Sequence, residues 1–548
     1  MEFNFSRHGL KGIEKKVQRL FEIIPGATSW AIIIGMIILS FWEEELAAVI
    51  IIAFYLYWLM RIFYLTIFLI LSYNRLSIEK GVDWITRARG LGNFDDYLKG
   101  LQALVPGIKL KDRLSRLFHR KELESFKKRN IEIPALDDIY QLVIIPIANE
   151  VRSVVEPGIR SIAASTFPSR KILIVLALEE RSPETVKEGV YGIQAEFKNS
   201  FFDILVSVHP NGIPGEARVK GANASHAARE AAEFLKSKGI AFKNVIVSCF
   251  DSDTVVKPVY FACLTYNFMV CPDRYRASFQ PIPVYYNNIW DVPAFARVIE
   301  AGSSFFQLIE ATNPEKLVTF SSHSMSFAAL VEVGYWPVDM VSDDSAIFWK
   351  AYIHYDGNYK VVPIYTTVSM DIVAADSWRK TVINEYKQKR RWAWGVENFP
   401  IVMRGFLKNN KIPFYNKIRL GFKLFEGHIS WATWAFLLTF IGGLPALFAG
   451  KAFQHSVLYY SAPRVAGIIF NLASFSLVTS IILSILLLPP QKVRYRILHR
   501  IIFALQWLFV PVIFLFLGAI PALDAQTRLM MGKRMEFWVA AKKRENTK

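Results

Sequence analysis

Apolar and polar positions divide this chain into stretches of different rhythm. Five apolar runs, 28–42, 46–72, 429–450, 465–489 and 501–523, qualify as membrane spans by length and composition. Glu43-Glu44-Glu45 separates the first two, so these read as a helical hairpin with an acidic tip. From Tyr140 the rhythm changes. Short apolar runs (QLVIIPI, KILIVLAL, FDILVSV, NVIVSCF) alternate with helical patterns near 151–165, 183–197 and 221–237. This alternation predicts an α/β domain, a mainly parallel sheet covered on both faces and inserted between N-terminal and C-terminal membrane helices.

The resulting organisation is a basic segment over 1–27, the hairpin over 28–72 and a charged helical adapter over 73–139. The sheet domain follows over 140–400, then an interface segment over 401–428, membrane helices over 429–523 and a basic tail over 524–548. Within 413–426, Lys417, Arg419 and Lys423 interleave with Ile418, Leu420, Phe422 and Leu424, which predicts an amphipathic helix on the bilayer surface. Gly442, Gly443 and Pro445 mark the third span as a candidate broken element, and Pro511, Gly518 and Pro521 mark the last, so the count is four to six. An odd count puts the tail opposite the N-terminus, against the pull of Arg528, Lys533, Arg534, Lys542, Lys543 and Arg544. Arg61, inside the second run, is either functional or snorkels to headgroups.

Composition agrees with a membrane protein: 53% of the 548 residues are hydrophobic. The net charge of +18 could signal nucleic acid, but Lys and Arg crowd the flanks of the apolar runs, the pattern of anionic headgroups and positive-inside topology. The basic stretch Lys11 to Arg19 and the residues from Arg75 onward place both ends of the hairpin, and the sheet domain, in the cytosol. The first run lacks a cleavage site and reads as a retained anchor. Cys249, Cys263 and Cys271 have no zinc-ligand spacing and imply no disulfide framework.

The candidate chemistry lies where the strands end, because ligands of parallel sheets bind beyond the carboxyl ends of the strands. These exits carry Ala148-Asn149-Glu150, Glu179-Glu180-Arg181 and Asp251-Ser252-Asp253. Two carboxylates at i and i+2 can converge on a divalent cation bridging a diphosphate, or can simply cap the next element. Ser342-Asp343-Asp344 before an apolar helical stretch reads either as an N-cap with acidic first-turn residues or as a site where Asp344 is a general base. Lys220-Gly221 at a helix start favours an anion such as phosphate. Cys249 reads as a small buried strand residue. Gln388-Lys389-Arg390-Arg391-Trp392 offers an arginine for phosphate and a tryptophan for stacking on a sugar face; the other reading is a basic helix on lipid.

In order, these motifs are IPIANE, GEARVKGAN, Asp251-Ser252-Asp253, FQPIPVYYNN, GYWPVDMVSDDS and the pentad. That order resembles the membrane-bound family 2 glycosyltransferases of GT-A fold, especially the processive branch with cellulose, hyaluronan and poly-N-acetylglucosamine synthases. The resemblance covers about 140–400. It implies that Ala148, Asn149 and Glu150 line the nucleotide pocket and that Glu179 or Glu180 contacts base or ribose. Lys220 and Gln388 would join the donor site. Asp251 would contact the nucleotide, and Asp253, with Asp251, would bind Mg or Mn. Asp344 would be the base, with Asp343 orienting the site or binding acceptor. Arg391 would hold the diphosphate and Trp392 would stack beneath the acceptor. Three departures stand out: Glu179-Glu180-Arg181 where relatives have Asp-Asp, Ser342-Asp343-Asp344 for Thr-Glu-Asp, and TFSSHSMSF where a Gly-Ser pair is usual. His323 in that last loop either influences acceptor choice or is a surface histidine. The implied partners are a nucleotide-sugar donor, a polysaccharide or lipid-linked acceptor, the bilayer, and a second copy or an export partner; nucleic acid is not among them. Three functions remain open here: processive synthesis from a UDP-sugar, transfer of one sugar to a lipid carrier, and a non-catalytic scaffold.

Overall fold

In the computed structural model, residues 3–102, 107, 109–129, 131–487 and 505–535 are described. Residues 488–489 and 501–504 of the expected last two spans, and Lys542, Lys543 and Arg544 of the tail, lie outside them. The sheet has eight strands: β1 (Tyr140–Ile147), β2 (Ile172–Glu179), β3 (Asp203–His209), β4 (Val245–Cys249), β5 (Val255–Val256), β6 (Ala277–Val284), β7 (Ser324–Ser326) and β8 (Lys360–Ser369). Their order is β3-β2-β1-β4-β7-β6-β8-β5. The near-continuous apolar runs of β1, β2 and β4 follow from burial of these strands on both faces.

The four strands expected from the alternating pattern form the parallel half, β3-β2-β1-β4. The other half is mixed: β7 is antiparallel to β4 and β6, and β5 to β8, whereas β6 and β8 are parallel. Chain order runs one way from β1 to β3 and the other way to β4, so the crevice beyond the ends of β1 and β4 is a topological switch point. There, Ile144 pairs in register with Cys249, bringing residues 148–150 and 250–253 out on the same sheet edge. The stretch expected as an adapter is helical over Trp84–Gly90, Phe94–Gln102 and Leu110–Lys127. Its Trp84, Leu98, Leu123 and Phe126 are buried in the sheet's own core, so it is part of the domain.

Among the described residues, four helices are long and apolar enough to cross a membrane, Gly12–Trp42, Glu44–Glu79, Val457–Leu487 and Gln506–Met530, or five if the bent pair Phe414–Thr439 and Ile441–Leu447 is one span. The first starts well before the apolar run at 28. The expected surface helix over 413–426 and the expected span from 429 are joined in one helix, Phe414–Thr439, followed by a 45° bend at the glycines. The Arg61 guanidinium pairs with Glu426 and hydrogen-bonds Ser430 at 3.1 Å and Tyr57 at 2.8 Å.

The last apolar helix meets the sheet domain at two places. Trp507, near its start, stacks on Phe305, and Asp524, near its end, pairs with Arg390 of the pentad at 2.9 Å. Both ends therefore lie against the sheet domain, and Asp524–Met530 continues the helix. A short π segment, Leu515–Ala519, absorbs the irregularity flagged by Gly518 and the flanking prolines. The first helix packs along this one at Gly26, where an added Cβ would lie 2.8 Å from the Gln526 carbonyl and 2.9 Å from Met530 Cβ. At Gly35 nothing lies within 4 Å. Gly35→Ala should therefore gain helix propensity, about 0.5–1 kcal/mol, and Gly26→Ala should lose about 1–3 kcal/mol to overpacking. Opposite shifts of the thermal midpoint in detergent check this.

Candidate functional site

Lys220 opens the helix Lys220–Ser237 and reaches across the switch-point crevice. Its Nζ lies 2.8 Å from Asp251 Oδ1, beyond β4, and 2.9 Å from Asp344 Oδ1, in the first turn of the helix Asp343–His354. The Asp-Ser-Asp motif, the KGAN motif and the Ser-Asp-Asp motif thus meet at one ammonium. Burial favours loss of its proton, but the Asp251 and Asp344 carboxylates outweigh that and hold its pKa well above the ordinary lysine value.

Close packing makes this meeting possible. A Cβ on Gly221 would stand 2.4 Å from the Pro337 carbonyl and 2.9 Å from Asp343 Cβ, so only glycine admits the segment 337–344 here. Asn223 Nδ2 donates to the Ala177 carbonyl at 2.7 Å and Ser225 Oγ to the Trp336 carbonyl at 3.0 Å, locking the lysine helix to β2 and to the 336–338 loop. Asp343 is buried beneath Asp344. Burial, and next the neighbouring Asp344 charge, push its carboxyl up to about 8, although Lys220 opposes the shift. Arg391 also acts on Asp343, the electrostatic link between the pentad and the Ser-Asp-Asp motif.

The two aspartates of the Asp-Ser-Asp motif differ. Asp251 also accepts from Ser321 Oγ, whereas Asp253 is buried and its Oδ2 accepts the Asp371 N–H at 2.8 Å. Asn287 Nδ2 ties the Asp253 carbonyl, at 2.9 Å, to Asp371 Oδ1, at 2.8 Å. Among the described residues, no cluster of three His, Cys, Asp or Glu side chains could hold a metal by itself. Two carboxylates suit a Mg or Mn ion that draws its remaining ligands from phosphates and water.

Other expected site residues face different tasks. Glu150 folds back to accept the Ala148 and Asn149 N–H groups at 2.8 and 3.0 Å, closing its own loop. Glu179 is turned inward, 3.5 Å from His209 Nδ1 and 3.3 Å from Arg181, and Glu180 accepts the Asn211 N–H at 2.8 Å. Gln388 is buried. Trp392 is partly exposed, capped by the Lys389 ammonium 3.7 Å from its ring centroid and flanked by Tyr285 at 5.9 Å.

His323 is not a surface residue. It is fully buried, with Nδ1 3.0 Å from the Phe320 carbonyl and 3.7 Å from Asp344 Oδ1, and Nε2 accepting from Trp336. This burial lowers its pKa. The preceding Ser322 adopts φ of 61°, the left-handed region, at the loop where relatives carry a Gly-Ser pair. Cys249 is a buried strand residue, as expected.

Two residues escaped the sequence reading. Tyr285 lies where Asp251, Asp253 and Glu300 all raise its pKa, after the larger effect of burial. Glu397, beyond the pentad, accepts the Ser342 N–H at 2.9 Å and its hydroxyl at 2.8 Å. The FQPIPVYYNN motif was a signal for the first; nothing in the sequence marks the second.

A family model described as Glycosyl transferase family group 2 matches residues 246–520, from β4 through the base motif and the pentad into the last apolar helix. No curated protein matches the chain. Among solved structures, the mannosyltransferase PcManGT from Pyrobaculum calidifontis, in complex with GDP-Man and Mn2+, is similar at 15% identity and a TM-score of 0.36, over 67% of this chain and 97% of that one. TarS 1-349 of S. aureus, in complex with UDP, is similar at 11% identity and a TM-score of 0.34, over 62% of this chain and 90% of that one.

The Asp343 carboxyl sets a pH dependence of stability. An unfolded aspartate titrates near 3.9, so between about pH 4 and about 8 the folded chain binds more protons than the unfolded one and stability falls as pH rises. Asp343→Asn lacks this titration. Its thermal midpoint relative to the parent should climb with pH across that window and level off above it, as a differential melting series would read.

Proposed function

The chain belongs to the glycosyl transferase family group 2, and on that premise we propose an inverting, membrane-embedded enzyme that extends a polysaccharide from a nucleotide-sugar, with UDP as the nucleotide. The observation that carries this reading is the meeting of Asp251, Lys220 and Asp344 at the sheet edge, with Arg391 acting on Asp343 next to Asp344. The donor would lie across the crevice beyond β1 and β4, with its nucleotide against residues 148–150 and 179–180 and Gln388 at the pentad end. Lys220 and Arg391 would face its diphosphate. Asp253, with Asp251, would hold Mg or Mn, which when bound neutralises charge on the departing nucleoside diphosphate.

In the reaction, the acceptor hydroxyl is seated against Trp392 and loses its proton to Asp344 as its oxygen attacks the anomeric carbon. The bond from that carbon to the diphosphate oxygen breaks from the opposite face, so one displacement inverts the configuration. Lys220, hydrogen-bonded to Asp344 at 2.9 Å, orients its carboxyl in the crevice. Asp343 beneath stays largely protonated near neutrality, so the base does not stand beside a second full negative charge.

The membrane arrangement supports a cytosolic catalytic domain on a multi-pass anchor. Both ends of the last apolar helix touch the domain, and among the other described helices four candidate spans remain once the bent pair counts as one. The N-terminus and the basic tail then share the cytosolic side, as the positive charges require.

The test uses purified protein in nanodiscs with Mg or Mn and a panel of UDP- and GDP-sugars, following nucleotide release and product size. A single productive donor and a ladder of long chains are expected; one lipid-linked sugar as sole product would replace extension by single transfer. Asp344→Asn should bind donor within about two-fold of the parent yet lose about 10²–10⁴-fold in transfer. Full turnover in that variant would remove Asp344 from the base role.

A further inference from the structure

Glu397 is buried five residues beyond Trp392, and both of its oxygens are engaged. Oε1 accepts the Ser342 N–H at 2.9 Å and the Ser342 hydroxyl at 2.8 Å; Oε2 accepts the Trp394 indole N–H at 2.9 Å and lies 3.9 Å from Arg7. The next residue, Asn398, donates to Ser342 Oγ at 3.1 Å and to Ser345 Oγ at 3.0 Å. Ser342 directly precedes the helix that carries Asp343 and Asp344. A serine in that place ordinarily turns its oxygen inward to cap the helix. Here it makes no such cap, and its hydroxyl points to Glu397 instead. The start of the base-bearing helix is therefore held by the segment that continues the pentad.

The N-terminal segment closes the other side. Phe5 is buried in the domain core, Ser6 Oγ donates to Asp339 at 2.5 Å, and Arg404 donates to the Asn4 and Ser6 carbonyls at 2.8 and 2.7 Å. Arg7 is thereby delivered to Glu397 from the chain that leads into the first membrane helix. A buried carboxylate is costly unless its charge is met by hydrogen bonds and a counter-charge, and this one has both.

We propose that Glu397 is a positioning residue for transfer: it holds Ser342, and through it Asp344, in register with the acceptor platform at Trp392, with Arg7 as its counter-charge. This rests on Asp344 being the base. The role is geometric, so loss of Glu397 should misplace the base without emptying the donor site.

The experiment measures donor Kd, donor-binding stoichiometry, sugar transfer and nucleotide release for Glu397→Ala, Glu397→Gln, Ser342→Ala, Arg7→Ala and the Glu397→Ala/Ser342→Ala double variant, in nanodiscs. In Glu397→Ala, donor Kd should stay within about two-fold of the parent, while transfer per donor-binding molecule falls about 100-fold, the scale of a 1 Å misplacement. Released nucleotide should increasingly exceed transferred sugar. Glu397→Gln, which keeps an acceptor for Ser342, should recover most of the loss. The double variant should be no worse than Glu397→Ala alone, because both act through one contact. Transfer per donor-binding molecule within two-fold of the parent in Glu397→Ala would overturn the inference. So would strict additivity with Ser342→Ala, or a loss that only tracks lost binding sites. If Glu397→Ala does not fold, the Glu397→Gln, Ser342→Ala and Arg7→Ala variants carry the same measurements, and the inference falls if none of them separates transfer from donor binding. Asp344→Asn is the control: full turnover there removes the base reading itself, whereas an inactive Asp344→Asn beside unaffected Glu397 variants removes only this inference.

Discussion

Three carboxylates that arrive from two separate parts of the fold can share a crevice only if a cation stands among them, and that cation is Lys220. Asp251 comes from the end of a parallel strand, and Asp343 and Asp344 come from the start of a helix on the far side of the sheet edge. At separations of a few ångströms in a partly buried site, their repulsion would amount to several kcal/mol. The ammonium hydrogen-bonded to Asp251 and Asp344 converts that repulsion into attraction. Its placement depends in turn on Gly221, which lets the helix approach the Pro337 carbonyl and Asp343, and on Asn223 and Ser225, which fix the helix to its neighbours. What electrostatics cannot neutralise is protonated: Asp343 lies underneath with its carboxyl shifted upward.

The same rule governs the membrane side. Arg61, a charge inside an apolar helix, is met by Glu426 and Ser430 of the neighbouring helix and by Tyr57 one turn earlier in its own. Asp524 in the last apolar helix is met by Arg390 and Arg528. The buried Lys389 is met by Glu300 at 2.6 Å and lies over the ring of Trp392. Successive pentad residues therefore have different partners. Lys389 reaches the helix Ala294–Ala311 and Arg390 the last apolar helix, and the Arg391 charge acts on the base loop. The pentad is the joint at which membrane helices and sheet domain meet, and Glu397 extends that joint to Ser342.

The sheet's parallel half was legible because β1, β2 and β4, buried on both faces, must be apolar throughout, and because the intervening helices repeat their apolar positions on a different period. The mixed half was not: β5 and β7 are two and three residues long, too short to show any period. The surface helix expected at 413–426 disappeared into a longer one, because an amphipathic stretch and an apolar stretch can share one continuous helix when the neighbours pair its charges, as Glu315 and Glu310 do for Arg419 and Lys423. His323 was misjudged for a similar reason. Its neighbours in sequence are polar, but Trp336 and the Phe320 carbonyl, which enclose it, come from elsewhere in the fold or from a turn.

By itself, the sequence determined the class of the chain, the four strands of the parallel half and the residue types offered at their ends, because hydrophobic period and strand-terminal chemistry are local properties. It did not determine which of those residues meet. Lys220 between Asp251 and Asp344, the inward turn of Glu179, the burial of His323 and the hold of Glu397 on Ser342 join positions 13 to 124 residues apart, where pairing depends on how helices and sheet pack. How the last apolar helix meets the sheet domain was likewise a tertiary decision, because its Asp524 pairs with Arg390 of the pentad, 134 residues away along the chain.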